Sequence, residues 1–206
     1  MLTEGEPLLN TKDFDTREAI LSSGRQEFLT NGFEKASLRT ICKNAKVTTG
    51  AFYSYFSKKE ELFSAIVDPM LKDYYQMYSG VMQNALTDIW SSERNEVEAI
   101  EFILAHLEGF RLLFDCSAGT KYEGFREELI NHLFMSSYQA CFNRYAGFEV
   151  DPNVVRVFVR IKFAQYMELI YGGYSMTDIR KIIRQYAAFT EAGFMRLIEE
   201  LKAKRT

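Results

Sequence analysis

The stretch SLRTICKNAKVTTGAFYSYFSKKEEL, residues 37–62, decides the fold of this chain. Ser37 is placed to cap a helix running through Leu38, Ile41 and Cys42 to Asn44. The short turn Ala45-Lys46-Val47 leads to Thr48, a second cap, and a brief helix over Thr49-Gly50-Ala51-Phe52-Tyr53-Ser54. Two short helices joined by a tight turn, behind a longer helix, make a helix-turn-helix unit. Ser57-Lys58-Lys59-Glu60 then has the spacing of a capping box and launches a long helix through Leu62, Phe63, Ile66 and Val67.

Outward from this stretch the chain reads as helix. Upstream, Ile20, Leu21, Gly24, Phe28 and Leu29 share one face, with Asp15 and Glu18 as a helix start and Gly32 as a left-handed stop. Gly24 weakens a helix interior by about 1 kcal/mol relative to Ala, so its use is to admit a close neighbouring helix. Residues 1–14, with Gly5 and Pro7, read as a loose N-terminal arm, 15–57 as the helix-turn-helix unit and 58–206 as a second, larger helical domain. Downstream, Pro69 is expected to kink the long helix rather than end it, because the pattern resumes at Leu71, Tyr74, Tyr75 and Tyr78. Further helices are expected at about 94–115, 121–145, 152–172 and 176–202, the last two opened by Asp151-Pro152 and by Ser175 with Asp178. Strand alternation is not evident, and the three prolines support an all-α chain.

Charge first argues against nucleic acid. The 206 residues carry a net −3, which disfavours a protein held to a polyanion by its whole surface. Locally the sign reverses. Lys35, Arg39, Lys43, Lys46, Lys58 and Lys59 fall in a window without Asp or Glu, giving +6 there and leaving −9 elsewhere. Duplex DNA carries about one negative charge per 1.7 Å of axis, so local cation density governs the contact. Thr48 offers a cap and a phosphate donor, while Thr49, Gly50 and Ala51 keep the helix start slim enough for a major groove about 12 Å wide. Phe52 and Phe56 fall on the core phase of the helix, leaving the Tyr53 and Tyr55 hydroxyls to face outward.

Residues 16–66 resemble the DNA-binding domain of the TetR (tetracycline-repressor-like) family of bacterial transcription regulators. The resemblance is carried by Ile20-Leu21, Phe28, Gly32-Phe33, Ser37-Leu38-Arg39, Ile41, Ala45, Val47-Thr48-Thr49-Gly50, Phe52 to Phe56, and Lys59-Glu60-Glu61-Leu62. It implies an all-α protein with an N-terminal three-helix helix-turn-helix domain and a larger C-terminal helical effector and dimerisation domain. DNA-binding residues are then Ser37, Arg39, Lys46, Thr48, Thr49, Gly50, Ala51, Tyr53, Tyr55 and Lys59. The resemblance further implies a homodimer joined by the last two long helices, with Phe158, Ile161, Ile183, Tyr186, Phe194 and Leu197 at the interface. A two-fold dimer sets its recognition helices about 34–36 Å apart, so the double-stranded operator is expected to be near-palindromic. Three positions depart from the family pattern. Cys42 replaces Ala and reads as a small buried substitute; Lys46 occupies a turn position usually held by Gly, where a left-handed backbone costs about 1 kcal/mol. Glu27 replaces Leu, which reads as a more exposed helix face.

The second domain is rich in aromatics, Trp90 among them. Tyr74, Tyr78, Phe102, His106, Phe110, Phe114, Phe125, Phe134 and Tyr138 are the candidates to line a cavity for a small apolar or amphipathic effector, although helical spacing equally suits core. Effector binding would shift the Pro69 helix joining the domains and release the operator. The two histidines lack neighbours at metal-ligand spacing, so neither metal nor cofactor is expected. The odd cysteine count argues against a disulfide framework, and the chain lacks a signal segment and any apolar run long enough to span a membrane, so a cytoplasmic protein is expected. A helical enzyme is one rival, but P-loop, G-x-S-x-G, H-E-x-x-H and dinucleotide-turn motifs are all missing; an architectural DNA binder with no effector is another, for which the second domain is large.

Overall fold

The computed structural model describes residues 11–87 and 92–204, so residues 1–10 of the expected arm, and Trp90, lie outside the described residues. Among the described residues every regular element is helical. In order they are α1 (Thr11–Lys35), α2 (Leu38–Asn44), α3 (Thr49–Tyr55), α4 (Lys59–Thr87), α5 (Ser92–Ala105), α6 (Leu107–Asp115), α7 (Phe125–Glu128), a π-helical stretch (Leu129–Phe134), α8 (Met135–Ala146), α9 (Pro152–Tyr171) and α10 (Met176–Ala203).

The chain divides into two compact units. One comprises the residues up to Met70 with Arg111–Glu123; the other comprises Leu71–Phe110 and the residues from Gly124 onward. The first buries Ile20, Phe28, Ile41, Phe52, Leu62 and Phe63 almost completely. Each such side chain contributes about 1.5–3 kcal/mol on leaving water. Phe28 and Phe63 meet edge-on with centroids 5.2 Å apart. Gly24 permits the approach of α4 to α1, because a Cβ there would stand 2.6 Å from Leu62 Cδ2. Residues 111–123 join this unit through Phe33 N, which donates to Cys116 O at 2.9 Å, and through Tyr122, whose hydroxyl donates to Asp68. The second unit buries Ile100, Phe142, Val155, Ile179 and Ile183.

Several helix ends differ from the sequence expectation. α1 begins at Thr11, not after Asp15, because no Pro or Gly interrupts residues 11–15. The long helix expected at 94–115 breaks at His106. There the backbone N–H is shared between Phe102 O and Ile103 O, and the ring Nδ1 lies 2.9 Å from Phe102 O. The helix expected from 121 starts only at Phe125, after a turn in which Ser117 Oγ donates to Leu113 O and Tyr122 O. α4 continues through Pro69. Its capping partner is Glu61 rather than Glu60: Ser57 N and Oγ both donate to Glu61 Oε2 at 2.6 Å, while Glu60 pairs with Lys58.

Candidate functional site

The helix-turn-helix is built by its caps. Ser37 Oγ accepts from Thr40 N at 3.3 Å and starts α2; Thr48 Oγ1 accepts from Ala51 N at 3.1 Å and starts α3. A hydroxyl used as acceptor keeps its own hydrogen, so Thr48 can still donate outward. Lys46, between the two helices, has φ 57°, so the turn keeps the left-handed conformation that a glycine adopts freely, and the lysine tolerates the strain. Cys42 is buried, as a small core substitute should be. Glu27 corrects the reading of a more exposed face. It is buried, and its Oε1 accepts from Ser37 N at 2.9 Å, supplying a carboxylate acceptor just ahead of α2.

α3 presents two faces. Phe52 and Phe56 are buried, whereas Tyr53 is 55% exposed and Tyr55 is half-buried. Thr49 and Gly50 are exposed, and Ala51 is half-buried. A Cβ added to Gly50 would meet only Thr48 Oγ1, at 3.8 Å. Internal packing therefore does not require glycine there. Arg39 and Lys46 are exposed, as are Lys35, Lys43 and Lys58 of the same basic window.

Lys59 is placed differently from the other candidates. Its ammonium donates to Phe33 O at 2.6 Å, Ala36 O at 3.0 Å and Glu34 O at 3.3 Å, and lies 4.5 Å from the Phe33 ring centroid. Burial lowers its pKa, against the opposing fields of Glu27 and Glu34. All three donors of the ammonium are engaged at the end of α1, so a phosphate contact would have to break those bonds.

This arrangement coincides with a recognised family. Residues 20–66 match the family of bacterial regulatory proteins named tetR. The likeness to the tetR family is confined to these residues, the helix-turn-helix and its flanking helices. The chain is 39% identical over 67 residues to the transcriptional regulator UidR of Escherichia coli K12, covering 32% of this chain and 30% of that protein. It is 35% identical over 72 residues to the transcriptional repressor NemR of the same strain, covering 35% and 36%. The matches thus span about a third of the length of these curated relatives. The fold likeness extends further. A regulator from Aquifex aeolicus superposes with a TM-score of 0.56 at 18% identity, covering 85% of this chain and 99% of that one. A TetR family regulator from Chloroflexus aurantiacus gives 0.57 at 13%, covering 94% of each.

Outside the matched residues, the aromatic candidates mostly pack on one another. Tyr74, Tyr78, Phe110 and Phe134 are buried; Tyr74 meets Phe110 at 5.2 Å and Tyr78 stacks on Phe134 at 5.3 Å. Burial raises the pKa of both tyrosines. Phe125 is buried, half-buried Phe102 stacks on His106 at 4.3 Å, and Phe114 is half-buried. Of the nine, only Tyr138 lines the cavity of about 100 Å³ in the second unit. Its walls include Val81, Met82, Phe158, Phe194 and Tyr166, with Glu96, Lys162 and Glu191 as its charged groups. Lys162 Nζ donates to Glu96 Oε1 at 2.5 Å, and the two side chains are 5% and 8% exposed. Lys162 was legible as an anomaly, since it shares the buried face of α9 with Val155, Val159 and Phe163. Glu96 carried no such signal.

The expected interface residues also divide. Ile183 and Phe194 belong to the chain's own core, Phe194 meeting Phe142 at 4.8 Å and Tyr145 at 5.7 Å. Phe158 and Leu197 are half-buried, whereas Ile161 is 63% and Tyr186 49% exposed. Val157 and Phe189, missed in the sequence, are 60% and 73% exposed. Val154, Val157, Ile161 and Leu197 border an open apolar groove. The described residues contain no group of three or more potential metal ligands, and none of their helices is long and apolar enough to cross a membrane.

Proposed function

We propose that the chain is a sequence-specific DNA-binding transcriptional regulator, a repressor released from a near-palindromic operator by a small-molecule effector. The observation that carries this reading is the outer face of α3. Gly50 has no internal reason to be glycine, Tyr53 is solvent-exposed, and both stand in the basic window of a tetR-family domain. A slim helix start beside exposed cations suits entry to a major groove, with Thr48, Thr49 and Tyr53 donating to phosphates or base edges and Arg39 and Lys46 supplying charge. Residues 15–57 read DNA, and residues 58–206 bind the effector and dimerise.

The dimer is the source of operator symmetry. Exposed Val157, Ile161, Tyr186 and Phe189 on α9 and α10 are apolar surface suited to a second copy of the chain. The protein works in the cytoplasm, where its DNA is. Release requires the effector to bind one state of the protein more tightly than the other.

Selection of bound duplexes from a random pool tests the reading. A palindrome with half-sites one helical turn apart is expected, and Tyr53→Ala should weaken binding to it by about tenfold, the effect of one good base or phosphate contact. Failure to enrich any sequence, or full affinity in Tyr53→Ala, would refute the assignment. Phe189→Asp should convert a sedimenting dimer to monomer; an unchanged dimer would place the interface elsewhere.

A further inference from the structure

The cavity between α4, α5, α8, α9 and α10 has an unusual polar end. A buried ion pair is a poor choice for stability alone, since desolvating both charges offsets most of their attraction. Here the pair is also incompletely satisfied. Glu96 Oε1 accepts from Lys162 Nζ, but Glu96 Oε2 is buried without a hydrogen-bond partner. A buried carboxylate oxygen left unpaired is costly, and it is an acceptor waiting for a donor. Lys162 is held further by Gln165 Oε1 at 3.5 Å and stands 5.7 Å from the Tyr166 ring centroid, so the cation is fixed rather than free to turn to a new anion.

The remaining walls define the rest of the ligand. Phe158, Phe194, Tyr138 and Tyr166 contribute aromatic rings, and Val81 and Met82 aliphatic surface. The volume of about 100 Å³ is on the scale of one six-membered ring, since an engineered cavity of about 150 Å³ holds benzene and drug-sized sites need about 300–1,000 Å³. Charge narrows the class again. Glu96 and Lys162 pair, and Glu191 adds a second carboxylate to the wall, so an anion would meet repulsion and compete with Glu96 for Lys162, while a cation would bear a desolvation cost that a neutral hydroxyl avoids.

We infer that this cavity binds an uncharged single-ring aromatic compound bearing a hydrogen-bond donor of the phenol type, its hydroxyl donating to Glu96 Oε2 and its ring lying among Phe158, Phe194 and the tyrosines. The inference names the chemistry of the effector site and rests on the effector reading for its regulatory meaning. Cys141 is in the cavity wall, but burial pushes its thiol up to about 11, so it stays a neutral wall group at neutral pH.

Calorimetric titration of the full chain with phenol, toluene, benzoate and benzylammonium tests it. Phenol should bind at least about tenfold more tightly than toluene, the worth of a hydrogen bond to a charged acceptor, and more tightly than either ion. Glu96→Gln should abolish most of that preference. Because this substitution leaves Lys162 unpaired, the paired variant Glu96→Leu with Lys162→Met is titrated beside it, with circular dichroism as the check on folding. In the paired variant toluene should bind as well as phenol. Equal binding of phenol and toluene to the unaltered protein, tighter binding of benzoate or benzylammonium, no binding of phenol, or a surviving phenol preference in the folded paired variant would each overturn the inference. Operator affinity measured with and without phenol is a separate arm. Glu96-dependent phenol binding that leaves operator affinity unchanged supports the inference and removes the effector reading; operator release by benzoate but not phenol overturns the inference and keeps that reading.

Discussion

Replacing Lys59 by Met separates a clamp from a phosphate contact. In the structure the ammonium donates to three carbonyls, Phe33 O at 2.6 Å and Glu34 O at 3.3 Å in the last turn of α1, and Ala36 O at 3.0 Å between α1 and α2. Hydrogen bonds to a charged group contribute about 1.5–3 kcal/mol each at best. These three share one donor group and are partly open to water, so the sum is far below additive, and about 2 kcal/mol is expected for the set. A loss of that size lowers the midpoint of thermal unfolding by about 4–8 °C in a chain of this length. Operator affinity should fall with it, since the α1–α2 connection is loosened. The salt dependence should not change. Each phosphate contact contributes about 0.9 to the slope of log affinity against log salt, and a residue that only positions the domain contributes none. Differential scanning calorimetry and fluorescence anisotropy across a salt series measure both quantities. A slope reduced by about 0.9 with an unchanged unfolding midpoint would refute the clamp and restore Lys59 as a phosphate ligand.

Other substitutions probe neighbouring arguments. Lys46→Gly should stabilise the protein by about 0.5–1 kcal/mol in urea, because glycine adopts φ 57° without strain, and should lower the salt slope by about 0.9 if Lys46 meets a phosphate; destabilisation would contradict the backbone argument. Lys162→Met alone should cost about 3–5 kcal/mol by stranding Glu96, whereas adding Glu96→Leu should recover most of that loss; equal damage in both proteins would show that packing rather than charge dominates there. The Glu61 carboxyl is held below its ordinary 4.5 first by the Ser57 hydroxyl and then by its backbone N–H. A depressed carboxyl supports the folded state fully above the unfolded value, and that support is lost as pH falls through the lower folded value. Carbon-detected NMR titration should therefore show Glu61 titrating below the ordinary glutamate value, and Ser57→Ala should bring it back; a Glu61 titration unmoved by Ser57→Ala would remove the cap.

Local chemistry was legible wherever a residue acts within its own turn. Ser37, Thr48, Asp151 and Ser175 all cap the helices expected of them, since a side-chain oxygen two or three residues from an orphan N–H depends on little else. Gly24, Phe28 and Phe52 announced their burial by periodicity. At Lys46 the family pattern left open a locally different turn or a tolerated left-handed strain, and the φ of 57° shows the second. Periodicity failed where one apolar stripe serves two purposes. Tyr74, Phe110 and Phe134 have the spacing of cavity walls and of core alike, and only the rings they meet distinguish the two. For the same reason Ile183 and Phe194 were indistinguishable from interface residues on a shared helix.

The amino-acid order alone determined an all-helical chain, the limits of α2, α3, α9 and α10 to within a residue or two, and the basic window that masks itself in a net charge of −3. These depend on contacts a few residues apart, where spacing is geometry. Tertiary structure decided what depends on distant partners. Glu27 became a buried acceptor for Ser37, Lys59 became a clamp on α1, and Glu96 met Lys162 across 66 positions. A charged side chain looks the same in sequence whether it faces water, a phosphate or another charge. Its partner and its burial are set only when the helices pack.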